Sequence, residues 1–507
     1  MKKIIKLFLL SSMISANVAF AISDKHIQKN FLLPRDQISN LALKDVSWNY
    51  FVNKKPDGRY SGTFQIVPFY QKSTAKNSLG HYFGFVNDVD KSKAPVYENV
   101  IGAKQEHGND KDYLLLPGDI IHNNADATGA GLLVGKFNFR PYQEIWGARL
   151  DWHQDLDELI NGLFFEISTV PVSVKNNMNL TDIGTQHVQA VNGVDVTFRD
   201  YFLGNISNSN ESNIQEELKY SRMGGSHTTG GFADVEFDLG YHLFYKPHFR
   251  LSFEGKVLVP TGNQPKAIDR FEPIYGSADH WAIGGAIDTD LIFWKTKMDE
   301  KHILLHLVAD YKYYFKAAEK RTPTFKNTAG VSKLEHIYML GGQTGYRKVF
   351  PLANVLTQDL YIEPGSQFEL LASLNFKWNR WFLDLGYNLF SRESEAVEFK
   401  HAWNNYQYAV AKYDYDTHTH DFDALDTNAA HNYGVRDGFA AIKDSDIDLD
   451  SVKQPSQLTH TFYAGFAYEC KRFKYPVMFG LGGHYEIASS NASLENWGLY
   501  LKGSLAY

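Results

Sequence analysis

Apolar and polar residues alternate along long stretches of the C-terminal half of the chain. In residues 231–245 every second position from Ala233 to Leu243 is apolar, and the positions between them are mostly charged or polar. Because successive side chains of a β-strand point to opposite faces, this period of two predicts a strand with one apolar and one charged face. The charged faces of this strand and of the next three are expected to carry Asp234, Glu236, Asp238, His242, Arg250, Glu254, Lys256, Asp288, Asp290, His306, Asp310 and Lys312.

The same alternation recurs further along the chain in segments that form hairpin pairs. Strands of about 10 to 14 residues are longer than the usual soluble strand and have the length needed to cross a bilayer at a tilt. A β-sandwich also alternates, but it seldom keeps the pattern at this length through so many hairpins. The segments are residues 248–260, 281–294, 302–316, 367–377, 380–391, 457–470, 475–486 and 496–507.

The N-terminal half gives a weaker signal. Residues 144–153 and 162–172 form a plausible hairpin, and residues 61–70 a further strand. Two tentative strands lie at residues 79–86 and 131–140. Bacterial barrels have an even number of strands, so the sequence predicts 14 strands if both tentative segments cross the membrane, which we prefer, and 12 if neither does.

The connections alternate in length. They are short near Lys246, Asp299, Asn379 and Arg472, whereas the intervening ones are long. Outer-membrane barrels have short periplasmic turns and long extracellular loops. The pattern therefore predicts an all-β fold, a single antiparallel transmembrane barrel in residues 61–507.

Composition supports a barrel over a helical membrane protein. Aromatic residues make up 15% of the chain, yet the mean hydropathy is −0.35. No internal apolar run reaches the roughly 20 residues that a membrane helix needs. The formal net charge of −7, without a basic cluster, argues against nucleic acid as a partner.

The N-terminus has the features of a secretory signal. A basic start, an apolar stretch and a small-x-small site ending at Ala21 predict a signal peptide in residues 1–21. Residues 22–60 are then either a periplasmic lead-in or a plug inside the lumen. The single cysteine, Cys470, excludes an intramolecular disulfide.

The last segment, NWGLYLKGSLAY, has apolar residues at every second position before an aromatic residue. With the signal peptide and the hairpins, it resembles Gram-negative outer-membrane β-barrel proteins over the whole mature chain. The resemblance implies a location in the outer membrane, lipid as surroundings, and recognition of the last strand by the barrel-assembly machinery. The residues that would form this assembly signal are Tyr507, Leu505, Leu501 and Leu499.

Two sets of residues could bind ligands or perform chemistry. Charged faces that line a lumen would set ion preference, although they could equally fill a closed, salt-bridged interior. In the loop at residues 412–432, Asp414, Asp416, His418 and His420 could bind a metal, but a solvated acidic loop is the simpler interpretation. No catalytic arrangement of Ser, His and acid can be placed, and no cofactor is implied.

The sequence therefore favours a porin-like channel through which small solutes diffuse passively. One alternative is a transporter of hydrophobic substrates, with a plug formed by residues 22–58 and an apolar lumenal pocket. A second is a surface adhesin with a sealed lumen that binds through the loops at residues 175–230 and 391–456. An outer-membrane hydrolase is the least favoured interpretation.

Overall fold

A computed structural model describes most of the chain. The predicted signal peptide lies outside the described residues. The described ranges are 27–45, 47–52, 61–83, 96–98, 112–114, 136–182, 188–189, 195–205, 208–210, 213–296, 300–326, 339–342, 348–405, 407–410, 412–414 and 442–507.

Twelve antiparallel strands form a closed barrel. Each strand pairs with its neighbours in the sequence, and β1 also pairs with β12, from Thr63 opposite Ala506 to Ser73 opposite Asn496. This pairing leaves no open edge, as lipid requires. The strands are β1 Gly62–Ser73, β2 Tyr142–Asp155, β3 Leu163–Asn177, β4 Ser226–Lys246, β5 Phe249–Val259, β6 Ala282–Lys295, β7 Lys301–Tyr314, β8 Gly365–Trp378, β9 Trp381–Arg392, β10 Gln457–Cys470, β11 Val477–Ala488 and β12 Asn496–Ala506.

The barrel fold and every predicted hairpin are confirmed, and the strand count is the smaller of the two predicted. The preferred count of 14 fails because neither tentative segment joins the barrel. The first forms the helix Lys76–Phe83, which buries Leu79, Tyr82 and Phe83 on one face. The second contains the strand Lys136–Phe139, which pairs with two short strands outside the barrel.

The connections alternate as predicted. Those at one end are residues 156–162, 247–248, 296–300, 379–380 and 471–476. Those at the other end are residues 74–141, 178–225, 260–281, 315–364, 393–456 and 489–495. We refer to these ends as the turn end and the loop end.

The outward face of the barrel is apolar and its inward face is polar. Leu239, Ile283 and Leu481 are exposed, whereas Asp238 and Lys256 are buried. Exposed aromatic residues cluster beside the turn end, where Trp378 and Trp381 flank the turn at residues 379–380. An apolar band bordered by aromatic residues is the surface that a bilayer requires of a barrel.

A β-bulge in β4 changes one detail of the predicted faces. The register shifts between Ala233 and Val235, and Asp234 at the bulge has a φ of 48°. Phe232 therefore points outward, 57% exposed, while Ala233, predicted on the apolar outer face, is fully buried. The Asp234 carboxylate accepts hydrogen bonds from the backbone of the loop that follows β5, at Thr261 and Gly262, both at 3.2 Å.

Short helices and strands fill the remaining described parts, and among the described residues no helix is long and apolar enough to span a membrane. The helices are α1 Leu41–Asp45, α2 Trp48–Val52, α3 Lys76–Phe83, α4 Phe198–Leu203 and α5 Leu352–Leu356, with 3₁₀ turns at Asp444–Asp446 and Leu449–Val452. The short strands are Val96–Glu98, Asp112–Leu114, Lys136–Phe139, Leu180–Asp182, Val188–Gln189, Asp195–Val196, Asn208–Asn210, Asn213–Gln215, Ala317–Arg321, Thr324–Phe325, Met339–Gly342, Lys348–Pro351, Gln358–Glu363, Ala396–Phe399, Tyr408–Val410, Lys412–Asp414 and Ile447–Asp448.

Little of the predicted loop metal site can be described. Asp414 ends a short strand and pairs across it with Asp112. Asp416, His418 and His420 lie outside the described residues. That metal site therefore stays a prediction.

Candidate functional site

Residues 27–52, the N-terminal segment, contact the inner wall on several sides of the barrel. Lys44 Nζ lies 2.5 Å from a carboxylate oxygen of Glu166 on β3. The backbone N–H of Ser47 donates to Asp384 on β9 at 2.5 Å. Because β3 and β9 lie far apart in the strand order, the segment crosses the space that the barrel encloses.

The segment runs from the loop end to the turn end. The N–H of Asn30 donates to the carbonyl of Ser451, in the connection between β9 and β10, at 2.7 Å. Near the other end of the segment, Lys377 donates to the Tyr50 hydroxyl at 2.7 Å, next to the turn at residues 379–380. The segment therefore passes along the length of the lumen.

Arg35 is the most extensively bonded side chain of the segment. Its guanidinium lies 3.0 Å from Glu369 on β8 and 2.9 Å from Glu486 on β11. It also donates to Asn388 at 2.8 Å and lies over the ring of Phe390, 4.7 Å from its centroid. A planar donor with five N–H groups can satisfy several acceptors at once, so this residue links three strands.

Lys256, a predicted lumenal residue, lies among four carboxylates. Its Nζ atom is 3.3 Å from Glu236, 3.0 Å from Asp238, 3.2 Å from Glu254 and 3.2 Å from Asp310. All five residues belong to the predicted set, on β4, β5 and β7. The structure thus brings five of the twelve predicted residues together in one cluster.

Two further cations extend this cluster along the inner face of the barrel, which we call the charged wall. Lys312 lies 2.5 Å from Glu236. Arg149 on β2 lies 2.8 Å from Asp151 and donates to the carbonyl of Ile38 in the N-terminal segment at 2.6 Å. The charged wall therefore extends from β4, β5 and β7 to β2 and directly contacts the segment.

A second cluster contains two further acidic residues of the predicted set, Asp288 and Asp290, and a histidine. His306 Nδ1 lies 2.9 Å from Asp290 and 3.4 Å from Asp288. Arg250 approaches Asp290 at 3.4 Å. Asp45, from the N-terminal segment, lies 3.6 Å from His306 Nε2.

His242 and Asp234 are the two residues of the predicted set outside these clusters; Asp234 binds the loop backbone, and His242 contacts Ser252 and Phe164. Its Nδ1 atom is 2.7 Å from the hydroxyl of Ser252, and its ring stacks on Phe164 at 4.6 Å between centroids. It forms no part of either charge cluster among the described contacts.

Sequence reasoning missed the partners that the N-terminal segment contributes. Arg35, Lys44 and Asp45 show no periodic pattern, and their partners lie hundreds of residues away. A signal was present, since three charged residues occur close together in a stretch with several apolar ones. That composition fits a buried segment with paired charges, but it does not identify the partners.

Two cavities lie between the N-terminal segment and the wall, and neither is apolar. One, of ≈ 30 Å³, lies beside Arg35 and Glu486. The other, of ≈ 40 Å³, lies beside α1 and α2. The polar residues that line the second cavity are Lys44, Asp45, Asn49, Glu166, His242, Ser252, Glu254, Lys256, Asp288 and His306.

A buried charge network at the loop end supports the start of the segment. Arg321 pairs with Glu319 at 2.9 Å and Glu395 at 2.5 Å, and lies over the ring of Phe31 at 3.6 Å. Glu319 also contacts His280 Nε2 at 2.6 Å. Burial lowers the pKa of His280, but the hydrogen bond and charge of Glu319 outweigh it, so the pKa is raised above its ordinary value.

The closing strand β12 presents apolar residues to the outside and ends at the barrel seam. The Tyr507 hydroxyl accepts a hydrogen bond from the Trp152 indole at 2.7 Å and donates to Gln154 at 2.9 Å. Its backbone exchanges hydrogen bonds with Gly62 at 2.9 and 3.0 Å. The partly or fully exposed apolar residues of β12 include Leu499, Leu501 and Leu505. Recognition of this strand by the assembly machinery stays a prediction.

Comparison with known proteins finds similar folds among outer-membrane channels. An outer membrane channel from Pseudomonas putida F1 has 10% identity and a TM-score of 0.36, covering 90% of this chain and 100% of that one. The Pseudomonas putida toluene transporter TodX has 8% identity and a TM-score of 0.33, covering 96% and 98%. A FadL homologue from Pseudomonas aeruginosa has 7% identity and a TM-score of 0.29, covering 94% and 99%.

No protein-family model and no curated protein matches the sequence. The class follows from the structure itself, because the barrel is closed, antiparallel and apolar on its outside, with aromatic residues at the strand ends. Barrels with these features belong in outer membranes. The chain is a twelve-stranded β-barrel protein of the bacterial outer membrane.

Proposed function

We propose that the protein is a channel for small polar solutes whose lumen is closed by the N-terminal segment acting as a plug. The observation that carries the proposal is that residues 27–52 contact inward-facing charges along the whole length of the barrel. A barrel of twelve strands is wide enough to hold such a segment, and movement of the segment would leave a lumen lined by charged side chains.

The lining favours polar over hydrophobic solutes. The hydrophobic-transporter alternative expects an apolar lumenal pocket, whereas ten of the sixteen residues that line the larger cavity are polar or charged, and six, among them Trp48 and Phe164, are apolar. An apolar solute would have to displace water from these charges without replacing their hydrogen bonds, which costs free energy.

The lumenal charges would set the ion preference of the open channel. Glu236 contacts both Lys256 and Lys312. Neutralising Glu236 would leave these two cations with less compensation, so the field along the path becomes more positive. Asp234 is a poor choice for this test, because its carboxylate binds the backbone N–H of Thr261 and Gly262.

The test is single-channel recording of the refolded full-length mature protein in a planar bilayer. The proposal expects discrete openings with ohmic conductance, and a reversal potential that shifts toward anion preference in Glu236→Gln. The matched control is Glu158→Gln, an exposed glutamate in the turn at residues 156–162, which should leave the reversal potential unchanged.

A barrel that never conducts, in the wild type or in variants with a loosened plug, would contradict the channel. If such a barrel instead bound a partner through its loops, the adhesin alternative would replace it. Equal shifts in Glu236→Gln and Glu158→Gln would show that Glu236 does not line the path.

A further inference from the structure

Asp288, Asp290 and His306 place three metal-binding atoms close together. Asp288 and Asp290 lie two residues apart on β6 and share a face, and Asp290 pairs directly with His306 on β7. One oxygen of each carboxylate and one nitrogen of the imidazole all lie within 4.8 Å of one another. Register alone thus determines this grouping.

The separations match the coordination shell of a small divalent ion. His306 Nδ1 is 2.9 Å from Asp290 Oδ1 and 3.4 Å from Asp288 Oδ1. Bonds of roughly 2.0–2.2 Å to zinc put neighbouring ligand atoms about 3.4 Å apart in a tetrahedron. The three atoms therefore need only small adjustments to bind one ion.

The side chains around the group indicate a ligand independently of its acidic character. Asp45 and Asn49 in the N-terminal segment are buried, and among the described residues the Oδ1 atom of each accepts no hydrogen bond, whereas Asp45 Oδ2 accepts one from the Tyr463 hydroxyl at 2.6 Å. Both residues line the ≈ 40 Å³ cavity that also reaches Asp288 and His306. A cavity of this size has room for an ion and a water molecule.

The N-terminal segment also supplies the supporting contacts that metal sites use. Asp45 Oδ1 lies 3.6 Å from His306 Nε2, on the side of the ring opposite to Asp288 and Asp290. Asn49 donates to Asp290 Oδ1 at 3.2 Å. Metal-bound histidines commonly donate their other ring N–H to a carboxylate, which fixes the ring and the tautomer.

We propose that Asp288, Asp290 and His306 Nδ1 bind a zinc ion, with Asp45 as the positioning residue whose Oδ1 atom, 3.6 Å from His306 Nε2, moves within hydrogen-bond distance when the ion binds. Binding releases the proton that Nδ1 otherwise shares with Asp290, and water completes the coordination. Zinc suits one imidazole with carboxylates, whereas calcium takes oxygen ligands only. Because Asp45 belongs to the N-terminal segment, the ion would fasten that segment to the wall. The site does not depend on transport.

The test is zinc titration of the refolded full-length mature protein after treatment with EDTA and dialysis. Calorimetry and elemental analysis should give one tightly bound zinc per chain, and Co²⁺ should give a visible absorption band typical of low-coordinate sites. His306→Gln should weaken zinc binding at least 100-fold. Asp45→Asn should weaken it about 10- to 100-fold while keeping one site, and Asp45→Glu should restore part of the affinity.

The matched control is His153→Gln. His153 is also buried and contacts two carboxylates, but Glu166 and Asp155 lie at opposite ring nitrogens, so the three cannot bind one ion together. This variant should keep the zinc affinity and the Co²⁺ band. Heat-modified gel mobility checks that each barrel is folded, and if His306→Gln does not fold, Asp45→Asn carries the test.

Three outcomes would overturn the site. Unchanged zinc affinity and an unchanged Co²⁺ band in both His306→Gln and Asp45→Asn would do so. Loss of the zinc in a His418→Gln, His420→Gln double variant would assign it to the loop instead. Calcium binding as tightly as zinc would contradict the role of the imidazole.

Discussion

Replacing Arg35 with alanine should release the N-terminal segment from the barrel wall. The guanidinium is buried between Glu369 and Glu486, and also donates to Asn388. Alanine removes the cation and leaves the two buried carboxylates close together without it. The effect should therefore be larger than that of a surface pair.

The magnitude follows from the cost of an unpaired buried charge. Breaking a buried ion pair by removing one partner costs about 3–5 kcal/mol. If that cost falls on the state in which the segment is docked, the ratio of undocked to docked protein rises roughly 10²- to 5 × 10³-fold. Water that enters the site and carboxylate protonation will reduce this figure, so it is an upper range.

The assay is the open probability of single channels in a planar bilayer. Arg35→Ala should open far more often than the wild type, with the same conductance per opening, because the variant changes how often the segment leaves and not the wall itself. Lys29→Ala is the control. Lys29 pairs at 2.5 Å with Asp450, whose side chain is 67% exposed, so its loss should cost about 0–1 kcal/mol and change opening little.

Equal open probability in the wild type, Arg35→Ala and Lys29→Ala would refute the reasoning. It would mean that the Arg35 contacts do not hold the segment, or that the segment does not block the lumen. Thiol labelling separates these two explanations. In a Cys470→Ser background, Asn40→Cys is buried in the docked segment and should react faster once Arg35 is replaced.

Three further predictions concern the seam and the loop end. Deleting Tyr507 should impair membrane assembly but not secretion, which cell fractionation and heat-modified gel mobility would measure. Tyr507→Phe should lose only two hydrogen bonds and about 1–2 kcal/mol of unfolding free energy. Arg321→Met should leave Glu319 and Glu395 buried without their cation, cost about 3–5 kcal/mol and make the long loops sensitive to protease. Because the pKa of His280 is raised in the folded protein, its contribution to stability is complete below the ordinary pKa of 6.5 and is lost as the pH rises through the folded-state pKa. Protection of the long loops from protease should therefore decline at alkaline pH in the wild type, and less in His280→Gln.

The barrel could be predicted from the sequence because the residues that define each hairpin are close together in the sequence. A period of two and a turn signal define each hairpin, as in β4 and β5, without knowledge of the rest of the chain. The same rule wrongly predicted a strand in residues 79–86, where Leu79, Tyr82 and Phe83 also fit one face of a helix. Packing against Phe271 and the other loop-end apolar residues decides in favour of the helix.

The candidate site could be predicted only in part, for the opposite reason. Lys256 and its carboxylates could be grouped because they lie on the charged faces of strands that follow one another in the sequence and in the barrel, from β4 to β7. Arg35 and Glu486 could not, because they meet across the lumen and lie 451 residues apart in the sequence. The pattern also did not predict the bulge at Asp234, where one extra residue reverses the predicted faces of Phe232 and Ala233, which precede it.

The strand that closes the barrel also holds the N-terminal segment. Lys502 on β12 donates to the backbone carbonyls of Lys44 and Asp45, at 3.0 and 3.2 Å. On β1, the other strand of the seam, Thr63 donates to the carbonyl of Phe51 at 3.2 Å. Both strands of the seam thus contact the segment, so closing the barrel completes its binding site.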